Sequence, residues 1–140
     1  MKYLAFVTIL AFLSTSAKAD TIDYWHVYYN DKKLKELTYY TKNVIIIKSS
    51  DIKAKDSIRV FFYRDTPCDD CETSLIVNDN KDAWVVRTTG KGIGNMLRFS
   101  LAELLSYKNR TGKSEFQVCY FDKLNMLQAE KPVLFTIRLE

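Results

Sequence analysis

The sequence SIRVFFYRDTPCDDCETSLIVND, residues 57–79, decides the fold class of this chain. It contains two runs of β-branched and aromatic residues, 57–65 and 72–79, and each has the length of a β-strand. Between them lies a short acidic loop that holds two of the three cysteines. We therefore predict a hairpin of two paired strands joined by this loop, with the rest of the chain forming strands around it.

Further strand patterns follow one another at short intervals on both sides of this hairpin. Asn30-Asp31 predicts a two-residue turn between the first two strands, because both residues tolerate a positive φ. Val44 to Lys48 (VIIIK) contains a continuous apolar run, which predicts a central strand covered on both faces. Gly90 to Gly94 predicts a glycine turn rather than a phosphate-binding loop, because a strand and not a helix follows it. The other predicted strands are 22–30, 34–37, 84–89, 96–99, 116–121 and 132–139.

One helix is expected, from Leu101 to Asn109. Ser100 and Glu103 have the spacing of a capping box at its start, and Gly112 can end it. With about nine short strands and no alternation of strand and helix, the pattern argues against a parallel α/β fold. The predicted fold is mainly β: a two-sheet antiparallel β-sandwich with one short helix. This architecture resembles immunoglobulin-like modules, a resemblance that concerns the fold and not the function.

The N-terminus has the pattern of a secretory signal peptide. Lys2 precedes the apolar run Leu4 to Leu13, and Ala17-Lys18-Ala19 supplies the small residues that a signal peptidase requires. The run is too short to span a bilayer. We expect residues 1–19 to be removed and residues 20–140 to form a single domain, which is periplasmic or secreted and has no membrane span.

The charge pattern excludes some classes of partner. Without Lys2 and Lys18 the chain has 19 basic and 17 acidic residues, and the two signs are interspersed. A nucleic-acid-binding protein would be expected to show a basic stripe, which is missing here. We therefore expect no nucleic-acid partner, and no attraction to an acidic membrane surface.

Cys68-Asp69-Asp70-Cys71 is the most distinctive motif. A redox Cys-x-x-Cys opens a helix that lowers the pKa of the first thiol, whereas a strand pattern follows here. The two aspartates disfavour thiolates and favour the oxidised pair. We therefore predict a structural disulfide, and we keep a redox or metal site with the same two sulfurs as the alternative. Cys119 is predicted to be a buried free thiol.

His26 is the only histidine, so any Ser-His-Asp or Cys-His mechanism would need it. Its mid-strand position predicts a histidine packed among tyrosines rather than a catalytic base. Tyr24, His26 and Tyr28 alternate and so share one face of the strand. That face has two interpretations. The tyrosines either occupy half-buried strand positions, for which they are well suited, or form an exposed aromatic row that binds a protein or a glycan.

The expected function is that of an exported, non-enzymatic β-sandwich that binds a protein or glycan partner. We expect no cofactor, no metal and no catalytic constellation. The alternative hypothesis is a thiol/disulfide or metal-binding protein that uses the loop from Cys68 to Cys71.

Overall fold

The computed structural model describes residues 23–38, 43–65, 68–122 and 133–140. The predicted signal peptide and its cleavage site lie outside these ranges. In the described part of the chain a short 3₁₀ turn, Ser49–Asp51, precedes the fourth strand. The other elements are β1 (Tyr24–Tyr29), β2 (Lys32–Thr38), β3 (Val44–Ile47), β4 (Ser57–Tyr63), β5 (Glu72–Asp79), β6 (Trp84–Lys91), β7 (Met96–Ser100), α1 (Leu101–Thr111), β8 (Glu115–Asp122) and β9 (Val133–Leu139).

These strands form two sheets, which confirms a mainly β fold with two sheets and one short helix. The order is β2-β1-β4-β7 in the four-stranded sheet and β3-β9-β8-β5-β6 in the five-stranded sheet. Every pair is antiparallel except β3 and β9, which run parallel. The expectation of purely antiparallel pairing is therefore wrong for that pair. An apolar strand pattern fixes which residues are buried but carries no information on strand direction.

The core lies between the sheets and is built by alternation along each strand. In β4, Ile58 and Val60 are fully buried and Phe62 is 4 % exposed, whereas the residues between them face away from the core. Trp25 of β1 is also fully buried, with its ring centroid 5.0 Å from that of Phe62 and 5.5 Å from that of Tyr120. These aromatic contacts join the two sheets, because Tyr120 belongs to the five-stranded one.

The predicted hairpin of residues 57–79 is not a hairpin. β4 belongs to the four-stranded sheet and β5 to the five-stranded sheet, where β5 pairs with β6 and β8. The acidic cysteine loop therefore crosses from one sheet to the other. Two consecutive apolar strands have the same pattern whether they pair side by side or face each other across a core, so the pattern could not distinguish these arrangements.

β3 is not the central strand that its sequence predicts. It lies at the edge of its sheet, where Val44 is 45 % and Ile46 is 55 % exposed, while Ile45 and Ile47 are each 7 % exposed. Only one face of this apolar run is buried. A run of branched aliphatic residues fits a pleated surface at an edge as well as at the centre of a sheet, because both positions favour β-branched side chains.

The helix and both predicted turns are confirmed. The Ser100 side chain accepts a hydrogen bond from the Ala102 N–H at 3.2 Å and caps the start of α1. Gly112 has φ +75° and donates its N–H to the carbonyl of Lys108 at 2.8 Å, which ends the helix. Asn30 takes the positive φ, +51°, in the turn between β1 and β2.

Asp56 stabilises one end of the sandwich through hydrogen bonds. Its carboxylate accepts hydrogen bonds from the Tyr29 hydroxyl at 2.6 Å, the Asn30 side chain at 2.9 Å and the Lys53 N–H at 2.9 Å. These hydrogen bonds lower the pKa of Asp56 to about 2, and the bond from Tyr29 has the largest effect. Burial and the same hydrogen bond raise the pKa of Tyr29 to about 12. The contacts hold the turn after β1 against the start of β4.

Asp79 is fully buried at the end of β5 and fastens the helix to the five-stranded sheet. Its carboxylate accepts hydrogen bonds from the Lys113 ammonium, from the Tyr107 hydroxyl at 2.8 Å, and from the N–H groups of Lys81 at 2.8 Å and Ala83 at 3.0 Å. These donors hold the pKa of the carboxyl group far below its usual range, and Lys113 has the largest effect. The groups that donate to Asp79 belong to the turn between β5 and β6 or lie near the end of α1.

Candidate functional site

The outer side of the four-stranded sheet carries a continuous aromatic surface. β1 and β4 are paired so that Tyr24 lies opposite Tyr63, and His26 lies opposite Phe61. Residues opposite each other on paired strands project from the same side of a sheet. Tyr28, two positions after His26, lies on this side too. We call these residues the aromatic face: Tyr24, His26, Tyr28, Phe61 and Tyr63.

The rings of the aromatic face contact one another. Tyr24 and Tyr63 stack with their centroids 5.0 Å apart and their planes 14° from parallel. The His26 ring lies 4.8 Å from that of Tyr63 and 5.3 Å from that of Tyr24. Tyr28 meets Phe61 edge to face at 5.4 Å. Each of the five side chains is partly exposed, so the face belongs neither to the core nor to a freely solvated surface.

Charged groups border the aromatic face on both sides. Glu36 of β2 lies 2.8 Å from His26 Nε2 and 3.1 Å from Lys33 Nζ, and the hydrogen bond from Lys33, followed by that from His26, lowers the pKa of Glu36. On the other side Arg59 binds Asp31 at 2.6 Å and lies opposite Arg98 of β7. Arg98 forms no ion pair within the described ranges.

His26 is packed among tyrosines, as its position in the strand predicts. The hydrogen bond that the structure gives its ring runs to Glu36, and the surrounding rings are those of Tyr24, Tyr28 and Tyr63. A carboxylate beside an imidazole orients the ring, but a hydrolytic triad needs a nucleophile on the other ring nitrogen. The contacts of His26 are those of a surface residue held in one orientation.

Sequence reasoning missed that β4 contributes to the face of β1. The alternation of Phe61 and Tyr63 places both on the outer side of β4, but the sequence does not show that β4 lies beside β1, because β2 and β3 come between them along the chain. Met96 was missed for the same reason. It lies opposite Phe61 at the far edge of the sheet and is 47 % exposed. Aromatic residues at alternate positions in two strands were the available signal.

The loop from Cys68 to Cys71 lies in the connection from β4 to β5, where the chain crosses between the sheets. The two cysteines are at disulfide-bonding distance, with their Cα atoms 5.6 Å apart. The carbonyl of Cys71 accepts a hydrogen bond from the Gly92 N–H at 2.8 Å, and that of Cys68 accepts one from the Ile93 N–H at 3.0 Å. The glycine turn is also a crossing between the sheets, from β6 to β7, so these hydrogen bonds hold two of the crossings together.

Gly92 has to be glycine in this arrangement. Its φ is +80°, and a Cβ atom at this position would lie 2.7 Å from the carbonyl oxygen of Asp69. Gly94 has a similar φ of +78°, but a Cβ atom there would meet nothing within 4 Å. The close approach of Gly92 to the cysteine loop therefore depends on the missing side chain as well as on the backbone conformation.

Cys68, Asp70 and Cys71 form the one group of possible metal ligands within the described residues, with donor atoms within 4.8 Å of one another. Three ligands fall short of the four that a structural zinc site uses, and sulfurs joined in a disulfide are not thiolate ligands. Cys119 does not complete the group. It lies opposite Ile76 in the middle of the five-stranded sheet and is fully buried outside the disulfide.

No protein-family model matches this chain, and no curated protein matches it. Within the described ranges, no helix is long and apolar enough to cross a membrane.

Proposed function

We propose that this chain is an exported, non-enzymatic binding module that recognises a protein partner through the aromatic face. The observation that carries the proposal is the continuous surface formed by three tyrosines, one histidine and one phenylalanine on two paired strands. Tyrosine rings supply large contact areas with few rotatable bonds, and their hydroxyls form hydrogen bonds at the edge of a contact. Such residues dominate the binding energy of many protein interfaces.

The ring geometry favours a protein over a glycan. A sugar stacks on the flat side of an aromatic ring, but Tyr24 and Tyr63 stack on each other and so cover one side of each ring. The edges and hydroxyls of such rings suit the uneven surface of a protein. Arg98, which forms no ion pair within the described residues, favours a partner with an acidic group at the edge of its contact surface.

Export is supported by the signal-peptide pattern and by the cysteine pair at disulfide distance. Disulfides persist in oxidising compartments and are rare in the cytosol. The disulfide closes a short loop in the connection between the sheets, so its proposed role is structural.

An immunoglobulin-like topology is part of the proposal. The order β1-β4-β7 corresponds to strands A-B-E of an immunoglobulin domain, and β9-β8-β5 corresponds to G-F-C, with β6 extending that sheet. The inter-sheet disulfide of antibody domains has no counterpart, because β4 contains no cysteine to pair with Cys119. The added strands β2 and β3 depart from the constant-type pattern.

The alternative, a thiol or metal function of the loop, has less support. A redox Cys-x-x-Cys places its first sulfur at a helix N-terminus, whereas Cys71 is followed directly by β5. Metal analysis of the purified, unreduced protein separates the two functions. Zinc bound in equimolar amount would support the alternative, whereas protein without metal and with its sulfurs bridged would support the structural disulfide.

Affinity capture with the purified chain tests the proposed function. Proteins exported by the cells from which the sequence derives are passed over three immobilised forms: wild type, Tyr28→Ala with Phe61→Ala, and Trp84→Ala as the control. Trp84 is 64 % exposed on the other sheet, so the control removes an exposed ring away from the aromatic face. Captured proteins are identified and purified, and their affinities are measured by calorimetry.

We expect a partner that binds the wild type and the control equally but binds the double variant at least about tenfold more weakly, the effect of losing one interface anchor. Arg98→Glu should weaken the same complex and reduce its dependence on salt. Equal binding by all forms, with folding confirmed by circular dichroism, would refute the aromatic face as the binding site.

A further inference from the structure

A polar cleft of about 400 Å³ lies on the five-stranded sheet, over β5 and β6. The two strands are paired so that Glu72 lies opposite Lys91 and Ser74 lies opposite Thr89. Arg87, two positions before Thr89 on β6, lines the cleft with them. We call this site the β5–β6 cleft. It is separate from the aromatic face, which belongs to the other sheet.

The cleft contains the hydroxyl group of Ser74, which forms no hydrogen bond within the described part of the fold. Ser74 is 5 % exposed. Because Ser74 lines the cleft, its hydroxyl can form a hydrogen bond with a molecule bound there.

The charged side chains of the cleft have no oppositely charged partner among the described residues. Arg87, Lys91 and Glu72 form no ion pair in the part of the chain that the structure describes, although Glu72 and Lys91 lie on opposite strands. Arg87 and Lys91 are four positions apart on one strand, a separation of about 13 Å. Two cations at this separation suit a ligand that is longer than one small anion.

An exposed aromatic ring extends the cleft along β6. Trp84 is 64 % exposed, and the Arg87 guanidinium lies 5.7 Å from its ring centroid. The outer side of β6 therefore presents an indole, a guanidinium, a hydroxyl and an ammonium group in sequence. As β6 is an edge strand, no further strand of the described residues lies beyond this row.

We propose that the β5–β6 cleft binds an acidic oligosaccharide along strand β6. The carboxylates of two uronic acid residues that are separated by intervening sugars pair with Arg87 and Lys91. Ring hydroxyls form hydrogen bonds with Ser74 and Thr89 and donate to the Glu72 carboxylate. A sugar ring packs on the exposed part of Trp84. This binding is independent of protein recognition by the aromatic face.

The residues favour an acidic sugar over an acidic peptide. Glu72 can accept hydrogen bonds from sugar hydroxyls, of which an acidic peptide such as polyglutamate has none in its side chains. The hydroxyls of Ser74 and Thr89 match a ligand rich in hydroxyl groups. An exposed indole suits the apolar side of a sugar ring.

Calorimetry with the purified full chain tests the proposal. The probes are a galacturonic acid hexamer, the neutral maltohexaose and a hexaglutamate peptide. The variants are Arg87→Ala, Lys91→Ala, Trp84→Ala and Ser74→Ala, with Lys55→Ala, which removes an exposed cation outside both sites, as the control. Exposed side chains at Arg87, Lys91 and Trp84 can be removed without disturbing the core, so these variants should remain folded.

We expect the galacturonic acid hexamer to bind, with an affinity that falls as salt is added. Arg87→Ala and Lys91→Ala should each weaken binding about fivefold, and Lys55→Ala should leave it unchanged. Equal binding of maltohexaose would overturn the role of the cations. Equal binding of hexaglutamate with the same variant effects would overturn the sugar in favour of a peptide. The absence of binding by any probe at millimolar concentration would overturn the proposal as a whole.

Discussion

Removing Trp25 should destabilise the protein far more than removing Tyr28, three positions further along the same strand. The two side chains project to opposite sides of β1. Trp25 is fully buried between the sheets, whereas Tyr28 is partly exposed on the aromatic face. The comparison therefore tests whether the proposed binding surface lies outside the core, on which the proposed function depends.

The contacts set the magnitudes. Trp25 meets Phe62 at 5.0 Å and Tyr120 at 5.5 Å, and deleting a buried aromatic side chain costs about 3–5 kcal/mol. Tyr28 keeps an edge-to-face contact with Phe61 at 5.4 Å, and such a pair contributes about 0.5–1.5 kcal/mol. With a slope of about 2 kcal/mol per molar urea, Trp25→Ala should lower the unfolding midpoint by about 2 M and Tyr28→Ala by about 0.5 M.

Urea titration followed by far-UV circular dichroism measures both midpoints. Should Trp25→Ala not fold, Val27→Ala replaces it, because Val27 is also fully buried on the inner side of β1. Comparable losses of stability for Tyr28→Ala and the buried-site variant would show that the tyrosines belong to the core. The aromatic face would then be a structural surface, and the proposed function would lose its main support.

Three further predictions concern the cysteine loop and the buried carboxylate. Alkylation of the unfolded, unreduced protein should label Cys119 alone, and alkylation after reduction should label all three cysteines; three labels without reductant would contradict the disulfide. Gly94→Ala should cost about 1–2 kcal/mol for its positive φ, and Gly92→Ala should cost more, because its new Cβ atom also meets the cysteine loop. Chemical denaturation would rank them, and equal losses would contradict that contact. Folding lowers the pKa of Asp79, so its stabilisation is present above about pH 4 and is lost as the pH falls. The difference in unfolding free energy between the wild type and Asp79→Asn should therefore narrow in acid, whereas Asp31→Asn, at an 89 % exposed side chain, should show almost no difference at any pH.

Local features of the fold could be predicted from the sequence. The alternation in β4, the capped helix after Ser100 and the turn at Asn30 each depend on residues close together in the chain, and the structure contains all three. The pairing of strands could not be predicted in this way. The contact of β1 with β4, the separation of β4 from β5 and the edge position of β3 all depend on which sheet each strand joins.

The same limit applies to the candidate sites. Tyr24, His26 and Tyr28 form a row within one strand, so the sequence shows them, whereas Phe61 and Tyr63 join them through long-range pairing. No pattern in the sequence indicates the β5–β6 cleft. Serine, threonine and scattered charges at alternate positions are typical of any solvated strand, and their convergence is visible only once β5 and β6 are paired.

The parallel pair at the edge of the larger sheet has a consequence for the order of folding. β3 pairs with β9, so that Val44 meets Thr136, and within the described residues β3 has no other strand partner. A strand of four branched aliphatic residues therefore stays without its hydrogen-bonding partner until the end of β9 has been synthesised. During that interval its unpaired backbone groups can pair with another chain. Folding of the larger sheet is thus completed late. A molecular chaperone that binds short apolar segments would bind Val44 to Ile47 during this interval.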